Sequence, residues 1–363
     1  MNEVALKLLK RINGNGYLAY LVGGYPRDIY LGRNTLDYDI CTNATPKDLK
    51  NIFGNLILPN EQYGSITLIV HNTRFEITTF RRDIKYENNR KPIEIEYIND
   101  LLEDLKRRDF VMNTMCIDAN GNIIDLLNAK EDINNRIINT VGDPFKKIEE
   151  DSLRILRAVR FATTLDFKLS DELKEAIKKF RYLLKNLSYY RKKEELDKIF
   201  SSSNNKYGIE LIISLGLDEY LELSNIKNMI PTTYLIGTWA QLDVVDKYSF
   251  NSVEKESIKQ ITELMDKDLL DYNNLYKYGL YISTIVAEIK GIDKCLVNKK
   301  YNELSIHNKT DISITHREIC MILDKNPGRF LSTIMKDIEY KIINKQLENK
   351  KEVLINYIRE NYS

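Results

Sequence analysis

The sequence predicts an α/β head followed by an all-α neck, body and tail. Three observations lead there. Short β-branched and aromatic segments crowd the first 140 residues, Gly142-Asp143-Pro144 then breaks the chain, and the apolar pattern beyond it is helical to the end. At 363 residues the chain exceeds one typical core. The expected divisions are a head over 1–145, a neck over 146–200, a body over 201–300 and a tail over 301–363.

The elements follow from local pattern. Residues 3–13 place Val4, Leu6, Leu8, Leu9 and Ile12 at helical spacing and end at Gly14-Asn15-Gly16. Tyr17 to Val22 reads as a strand, Asp28 to Gly32 as a short helix, and Leu36 to Cys41 as a second strand. Thr45-Pro46-Lys47-Asp48 has the chemistry of a helix start. Ile66–Val70, Phe75–Phe80 and Ile93–Tyr97 are strand-like, and the charged, aperiodic run Arg81–Pro92 between the last two predicts a mobile loop. Asn120-Gly121 predicts a hairpin joining Met115–Asp118 to Ile123–Leu126. Amphipathic helices are expected near 149–163, 170–184, 189–201, 208–215, 253–267 and 330–347.

Composition narrows the class. Fifty-four basic and 53 acidic residues leave a net charge of +1, so no global field points to a polyanion. Locally, residues 146–200 hold fifteen Lys/Arg against ten Asp/Glu, a net of +5. Cys41, Cys116, Cys295 and Cys320 are scattered, and with only three histidines neither a disulfide framework nor a zinc site is expected. Without a signal-like N-terminus or a run of ~20 apolar residues, a cytoplasmic protein with no membrane partner is expected.

The chemistry concentrates in one stretch. Gly23-Gly24 precedes Arg27 by three residues and Asp37 by thirteen, with Asp39 two further on. Carboxylates at i and i+2 of an extended segment share one sheet face and can reach one pair of hard cations, while Tyr38 and Ile40 face the core. A double glycine lets backbone approach a triphosphate without Cβ atoms in the way, and a guanidinium pairs with phosphate oxygens. Between Ser152 and Phe161, Leu153, Ile155, Leu156 and Val159 occupy one side of a predicted helix from Asp151 to Phe161, and Asp151, Arg154, Arg157 and Arg160 the other.

Three segments in order resemble a known family: Gly23-Gly24-Tyr25-Pro26-Arg27-Asp28 through Asp37-Tyr38-Asp39, Arg107-Arg108-Asp109-Phe110-Val111-Met112-Asn113, and Glu150-Asp151-Ser152-Leu153-Arg154 through Arg157-Ala158-Val159-Arg160-Phe161. They resemble the polymerase β superfamily of nucleotidyltransferases, and within it the class II tRNA nucleotidyltransferases, or CCA-adding enzymes. Pro26 and Tyr30 depart from the family's usual Val and Leu, at positions without reactive groups. The resemblance implies a polymerase-β-like catalytic head, Mg²⁺ held by Asp37 and Asp39, and transfer of nucleotides from CTP and ATP to a tRNA lacking its 3′ CCA.

Nucleotide contacts are implied for Gly24, Arg27, Arg108, Asp151, Arg154, Arg157 and Arg160, with support from Gly23, Glu76, Asp109, Asn113 and Glu150. Glu76 stands where a third metal carboxylate often joins the site. Asp109 and Asn113 are expected at the sugar, and Glu150 is expected to orient Arg154. Asp151 as acceptor and Arg154 as donor match the amino-plus-acceptor edge that cytosine and adenine share and that guanine and uracil invert. The charged run Arg81–Pro92 would serve the final adenosine, and Asp83, Tyr86 and Arg90 match the family there. The helical tail is expected to bind tRNA. The rival readings are a bacterial poly(A) polymerase, whose motif after the aspartate strand is not matched by Pro59–Leu68, a CC-adding enzyme, which lacks the run before Arg107-Arg108-Asp109 that this chain keeps, an A-adding enzyme, and a non-catalytic RNA-binding module on the same fold. Monomer and homodimer stay equally open.

Overall fold

The computed structural model describes residues 2–54, 57–62, 64–87 and 91–362. Tyr63 of the Pro59–Leu68 stretch, and residues 88–90 of the expected loop with Arg90 among them, lie outside the described residues. Two compact units divide after Glu222, a point inside the stretch read as the body.

The first unit opens with α1 (Glu3–Asn13), whose first N–H groups bond the Asn2 side chain. β1 (Ala19–Val22) runs into Gly23 at φ 79°, and α2 (Gly24–Tyr30) begins there. That start is four residues earlier than expected, because Pro26 falls in the first turn, where a missing N–H costs no helix bond. β2 (Tyr38–Thr42) follows, then α3 (Pro46–Phe53), started by a reciprocal Thr45–Asp48 capping box. β3 (Ile57–Gln62), β4 (Ser65–Val70) and β5 (Thr73–Thr79) form a meander. β6 (Arg81–Glu87) and β7 (Lys91–Tyr97) come next, and then α4 (Leu101–Lys106). The hairpin of β8 (Cys116–Ile117) and β9 (Ile123–Ile124) turns at Asn120-Gly121 as expected.

Seven strands make one sheet in the order β3-β4-β5-β2-β1-β8-β9, antiparallel throughout except for the β2–β5 pair. α1 and α3 cover one face through Leu9, Ile12, Leu49 and Phe53, packed on Leu21, Ile40, Phe75 and Ile77. On the other face, Val22, Cys41, Phe80, Leu105 and Cys116 form a smaller cluster. The alternation along β2 therefore puts Tyr38 and Ile40 in the larger core and Asp39 on the face it shares with Cys41.

Arg81–Pro92 is a ribbon and not a loop. β6 and β7 pair antiparallel from Arg81↔Tyr97 to Glu87↔Lys91, with register shifts around Lys85. None of the ribbon's described side chains is buried. Ile84 and Tyr86 alternate with Asp83, Lys85 and Glu87 in the sequence, but the density of charge in this run outweighed that period-2 pattern.

After α5 (Ala129–Asn135) and β10 (Ile137–Ile138), Asp143 caps α6 (Pro144–Glu150). α7 (Leu153–Leu165) then begins later than the expected Asp151. Asp151 is extended (φ −144°, ψ 104°), and its Oδ1 accepts from the Leu153 N–H at 3.0 Å. A short acidic side chain gains more by accepting a free N–H at a helix start than by standing inside the helix. β11 (Lys168–Leu169), α8 (Asp171–Phe180), α9 (Tyr189–Phe200), α10 (Asn205–Ser214) and α11 (Asp218–Leu221) complete the unit.

The second unit is helical: α12 (Leu235–Ala240), α13 (Ser252–Met265), α14 (Tyr272–Lys290), α15 (Lys294–Asn302), α16 (His316–Leu323), α17 (Phe330–Ile343) and α18 (Lys351–Tyr362). α14 breaks at Gly279 (φ 71°), and its buried Leu275, Ile282, Ile285 and Val286 centre a core shared with Ile334, Ile338, Leu354 and Ile358. Among the described residues no helix is long and apolar enough to cross a membrane.

Candidate active site

Asp37 and Asp39 lie at the mouth of the head sheet. Asp37 is exposed just before β2, and Asp39 is half-buried in register with Glu76 on β5 and Val22 on β1. Because β1 ends at Val22, the turn at Gly23 comes against Asp39, and a Cβ built there would stand 3.0 Å from Asp39 Oδ2. Gly23 is thus required twice, by its positive φ and by that approach. Burial, reinforced by Asp37 and Glu76, pushes the Asp39 carboxyl up to about 6 against the pull of Arg108 and Arg157. Oxygen donors held against mutual repulsion suit a hard cation. Among the described residues no three His, Cys, Asp or Glu side chains form a closed cage. Mg²⁺ needs none, since it binds through one or two carboxylates with water and substrate phosphate completing its shell.

Arg108 approaches Asp39 and Cys41 from the end of α4, with Nη2 held by the fully buried Asp104 at 3.2 Å. Its Nε is buried without a partner, a donor left over by the protein's own bonding.

A second group of arginines surrounds Phe161. Arg27 is 6% exposed. Its Nε and Nη2 donate to Asp28 Oδ1 at 2.9 and 2.8 Å, and its Nη1 donates to Asn113 Oδ1 at 2.6 Å. Asn113 Nδ2 in turn donates to Asp109 Oδ1 at 3.3 Å. Asp109 Oδ2 accepts from Arg157 Nε at 2.8 Å and lies 2.6 Å from its Nη2. Arg160 Nε lies 2.9 Å from Glu195 Oε2 on α9, an ion pair too bent to count as a hydrogen bond. Burial, partly offset by Glu195, lowers the Arg160 pKa.

The structure therefore brings together Gly23, Asp37, Asp39, Glu76 and Arg108 at the sheet mouth, and links Arg27, Asn113, Asp109 and Arg157 into one chain of bonds. The three guanidiniums on the non-core side of α7 are each held by other side chains or backbone and do not stand free in solvent. Arg154 is buried and donates through Nη1 to Lys147 O at 2.6 Å and Glu150 Oε2 at 2.8 Å, across the break between α6 and α7. The Arg157 side chain is 32% exposed and that of Arg160 16%. Asp28, Glu195 and Phe161 were not marked as site residues by sequence reasoning. Asp28 and Phe161 stand inside the quoted motifs, whereas nothing in the sequence relates Glu195 to Arg160.

Asp109 also bears on stability. Burial opposes its charge, but Arg157 together with hydrogen bonds from the Phe110 N–H and Asn113 outweighs it and holds the carboxyl down at about 2. A depressed carboxylate adds stability above its unfolded value near 3.9 and loses it as pH falls through the folded value, so the window is pH 4 to 2. Asp109→Asn is expected to lower unfolding free energy by about 2 kcal/mol at neutral pH, with the gap to the parent closing as pH falls through that window. Denaturant titrations at several pH values measure it, and a gap independent of pH contradicts it.

Residues 19–139 match the poly A polymerase head domain, 166–226 the probable RNA and SrmB-binding site of polymerase A, and 244–358 the putative tRNA nucleotidyltransferase domain 2. The chain is 32% identical to the CCA-adding enzyme of Lactococcus lactis subsp. lactis, over 98% of this chain and 96% of that one. It is 30% identical to the enzyme of Enterococcus faecalis, covering 99% and 96%. The crystal structure of the Bacillus stearothermophilus CCA-adding enzyme in complex with CTP superposes with a TM-score of 0.86 at 27% identity, covering 99% of this chain and 98% of that one. The whole length of the chain is thus shared with enzymes of one activity, and the chain belongs to the bacterial CCA-adding enzymes, the tRNA nucleotidyltransferases with a poly(A) polymerase head.

Proposed function

We propose that this protein adds C, C and A in turn to the 3′ end of a tRNA that lacks them, taking CTP and ATP without a nucleic acid template and releasing pyrophosphate. The observation that carries this reading is the meeting, within one unit, of the Asp37/Asp39 mouth with the Asp151–Arg160 segment. Asp37 and Asp39 would hold Mg²⁺, with Glu76 beside them. Bound Mg²⁺ would supply activation of the 3′ hydroxyl and charge stabilisation on the leaving phosphates. The Gly23-Gly24 turn admits the triphosphate close to the backbone, and Arg27, Arg108, Arg157 and Arg160 offset its charge.

Base choice falls to Asp151 and Arg154. Glu150 and the Lys147 carbonyl hold Arg154 from one side. Asp151 keeps one carboxylate oxygen on the Leu153 N–H, leaving the other to accept from an exocyclic amine. Asp109 and Asn113 would act on the sugar through the arginines they hold. The division into catalytic head (1–145), selecting neck (146–200), body (201–300) and tRNA-binding tail (301–363), and a cytoplasmic setting, belong to the same proposal.

The test is incubation with a tRNA lacking CCA, Mg²⁺ and each NTP singly and in pairs, with product sizing. CTP alone should extend by two residues, and CTP with ATP by three. Long tails from ATP alone would instead make it a poly(A) polymerase, and extension of only tRNA-CC would make it an A-adding enzyme.

The β6–β7 ribbon bears on the last step. Deleting residues 83–90 is expected to preserve addition of both cytidines and abolish that of adenosine, because accommodating the larger purine is taken to need a head element that moves. Unimpaired adenosine addition by the deletion variant would reduce the ribbon to a surface feature.

A further inference from the structure

Phe161 is 8% exposed, yet what gathers on its ring is mostly charge. The guanidinium of Arg160 lies 4.1 Å from the ring centroid, that of Arg27 5.2 Å and that of Arg157 5.4 Å. Phe110 meets the ring edge-on, with centroids 5.7 Å apart at 83°. These arginines come from two elements, α2 and α7, and each has its own carboxylate: Asp28, Asp109 and Glu195 respectively for Arg27, Arg157 and Arg160. Each carboxylate meets its guanidinium through a single oxygen, which neutralises the charge but fixes the guanidinium plane less than a fork on both oxygens would. An aromatic face attracts a cation and also gives a planar guanidinium a surface to lie against. An aliphatic side chain of the same volume supplies neither. Only a little ring surface reaches solvent, so the ring acts on the arginines and not on a ligand.

We infer that Phe161 is a positioning residue of the nucleotide site: its ring faces set the arginines of α2 and α7 as one pre-aligned anion-binding group, so that the triphosphate meets oriented donors. This rests on the proposed reading of α7 as the nucleotide-binding helix. The role concerns phosphate and not base, so it must act on CTP and ATP alike and leave the preference of Asp151 and Arg154 untouched. It lowers the cost of ordering the site, which is paid at binding, and so appears in KM ahead of kcat.

The experiment replaces Phe161 by 4-fluoro-, 3,5-difluoro- and 3,4,5-trifluorophenylalanine through site-specific incorporation, which withdraws electron density from the ring face at nearly constant shape. CTP affinity is read by equilibrium titration, and KM and kcat for CTP and ATP on a tRNA lacking CCA. The expected result is a stepwise loss of affinity reaching on the order of tenfold for the trifluoro ring. KM should rise in parallel and kcat stay within about twofold, with the melting temperature within about 2 °C of the parent. Phe161→Tyr should stay near the parent, and Phe161→Leu should fall at least as far as the trifluoro protein. A flat series in a protein that extends tRNA normally overturns the inference and leaves the proposed function standing. A parent protein that extends no tRNA overturns that function, and the inference with it.

Discussion

Asp37→Ala and Asp39→Ala are each expected to abolish nucleotide addition, by roughly three orders of magnitude or more, because each removes an oxygen ligand proposed for the cation pair that would carry the transfer. The structure separates this loss from misfolding. Asp37 is exposed just ahead of β2, so its removal costs no packing. Asp39 is a carboxylate whose ionised form is disfavoured by burial and by Asp37 and Glu76. A carboxyl raised in the folded state destabilises it when ionised at neutral pH, so without metal Asp39→Ala should melt at or above the parent temperature. Product sizing under saturating CTP, beside thermal melts, gives the measurement. Activity of either variant within tenfold of the parent would remove both residues from the catalytic role.

The second large effect concerns which nucleotide is added. Arg154→Ala is expected to raise UTP and GTP incorporation relative to CTP and ATP by roughly ten to a hundredfold, the worth of one charge-assisted hydrogen bond. Loss of Arg154 also leaves the Lys147 carbonyl and Glu150 without that donor, so the folded fraction is expected to fall. A ratio among four nucleotides measured on one preparation is insensitive to that fraction. Arg157→Ala supplies the contrast: it strips from Asp109 the guanidinium whose Nε and Nη2 both face its Oδ2, and should depress every nucleotide about equally. If both variants lose rate with an unchanged preference, the α7 arginines bind phosphate only and base reading lies elsewhere.

The two aspartates, the double glycine and the arginines proposed for the site stand out in the sequence because each belongs to a short-range motif whose chemistry depends on spacing along one element. α1, α3 with its capping box, and the β8–β9 hairpin were legible for the same reason, since caps, turns and apolar periods are local signals. Of the β6–β7 ribbon only Ile93–Tyr97 was legible as a strand, because in β6 the charge of Arg81–Glu87 outweighed the alternation of Ile84 and Tyr86. The start of α7 was misplaced because Asp151 fits the helical period as well as it fits the role it takes, a carboxylate accepting the Leu153 N–H outside the helix.

By itself the sequence determined the type of chemistry and an α/β head feeding a helical remainder, and it supplied the residues proposed to carry phosphate, metal and base. Only the tertiary structure decided how those residues are held. Arg27 is locked by Asp28 and Asn113, Arg154 reaches back across a helix break, and Arg160 pairs with Glu195, thirty-five positions away along the chain. Three guanidiniums share the ring of Phe161. The physical reason is that spacing along a strand or helix fixes a side chain's direction only within its own element. A buried charge takes its partner from whatever the packing of other elements brings within a few ångströms, and no local pattern encodes that.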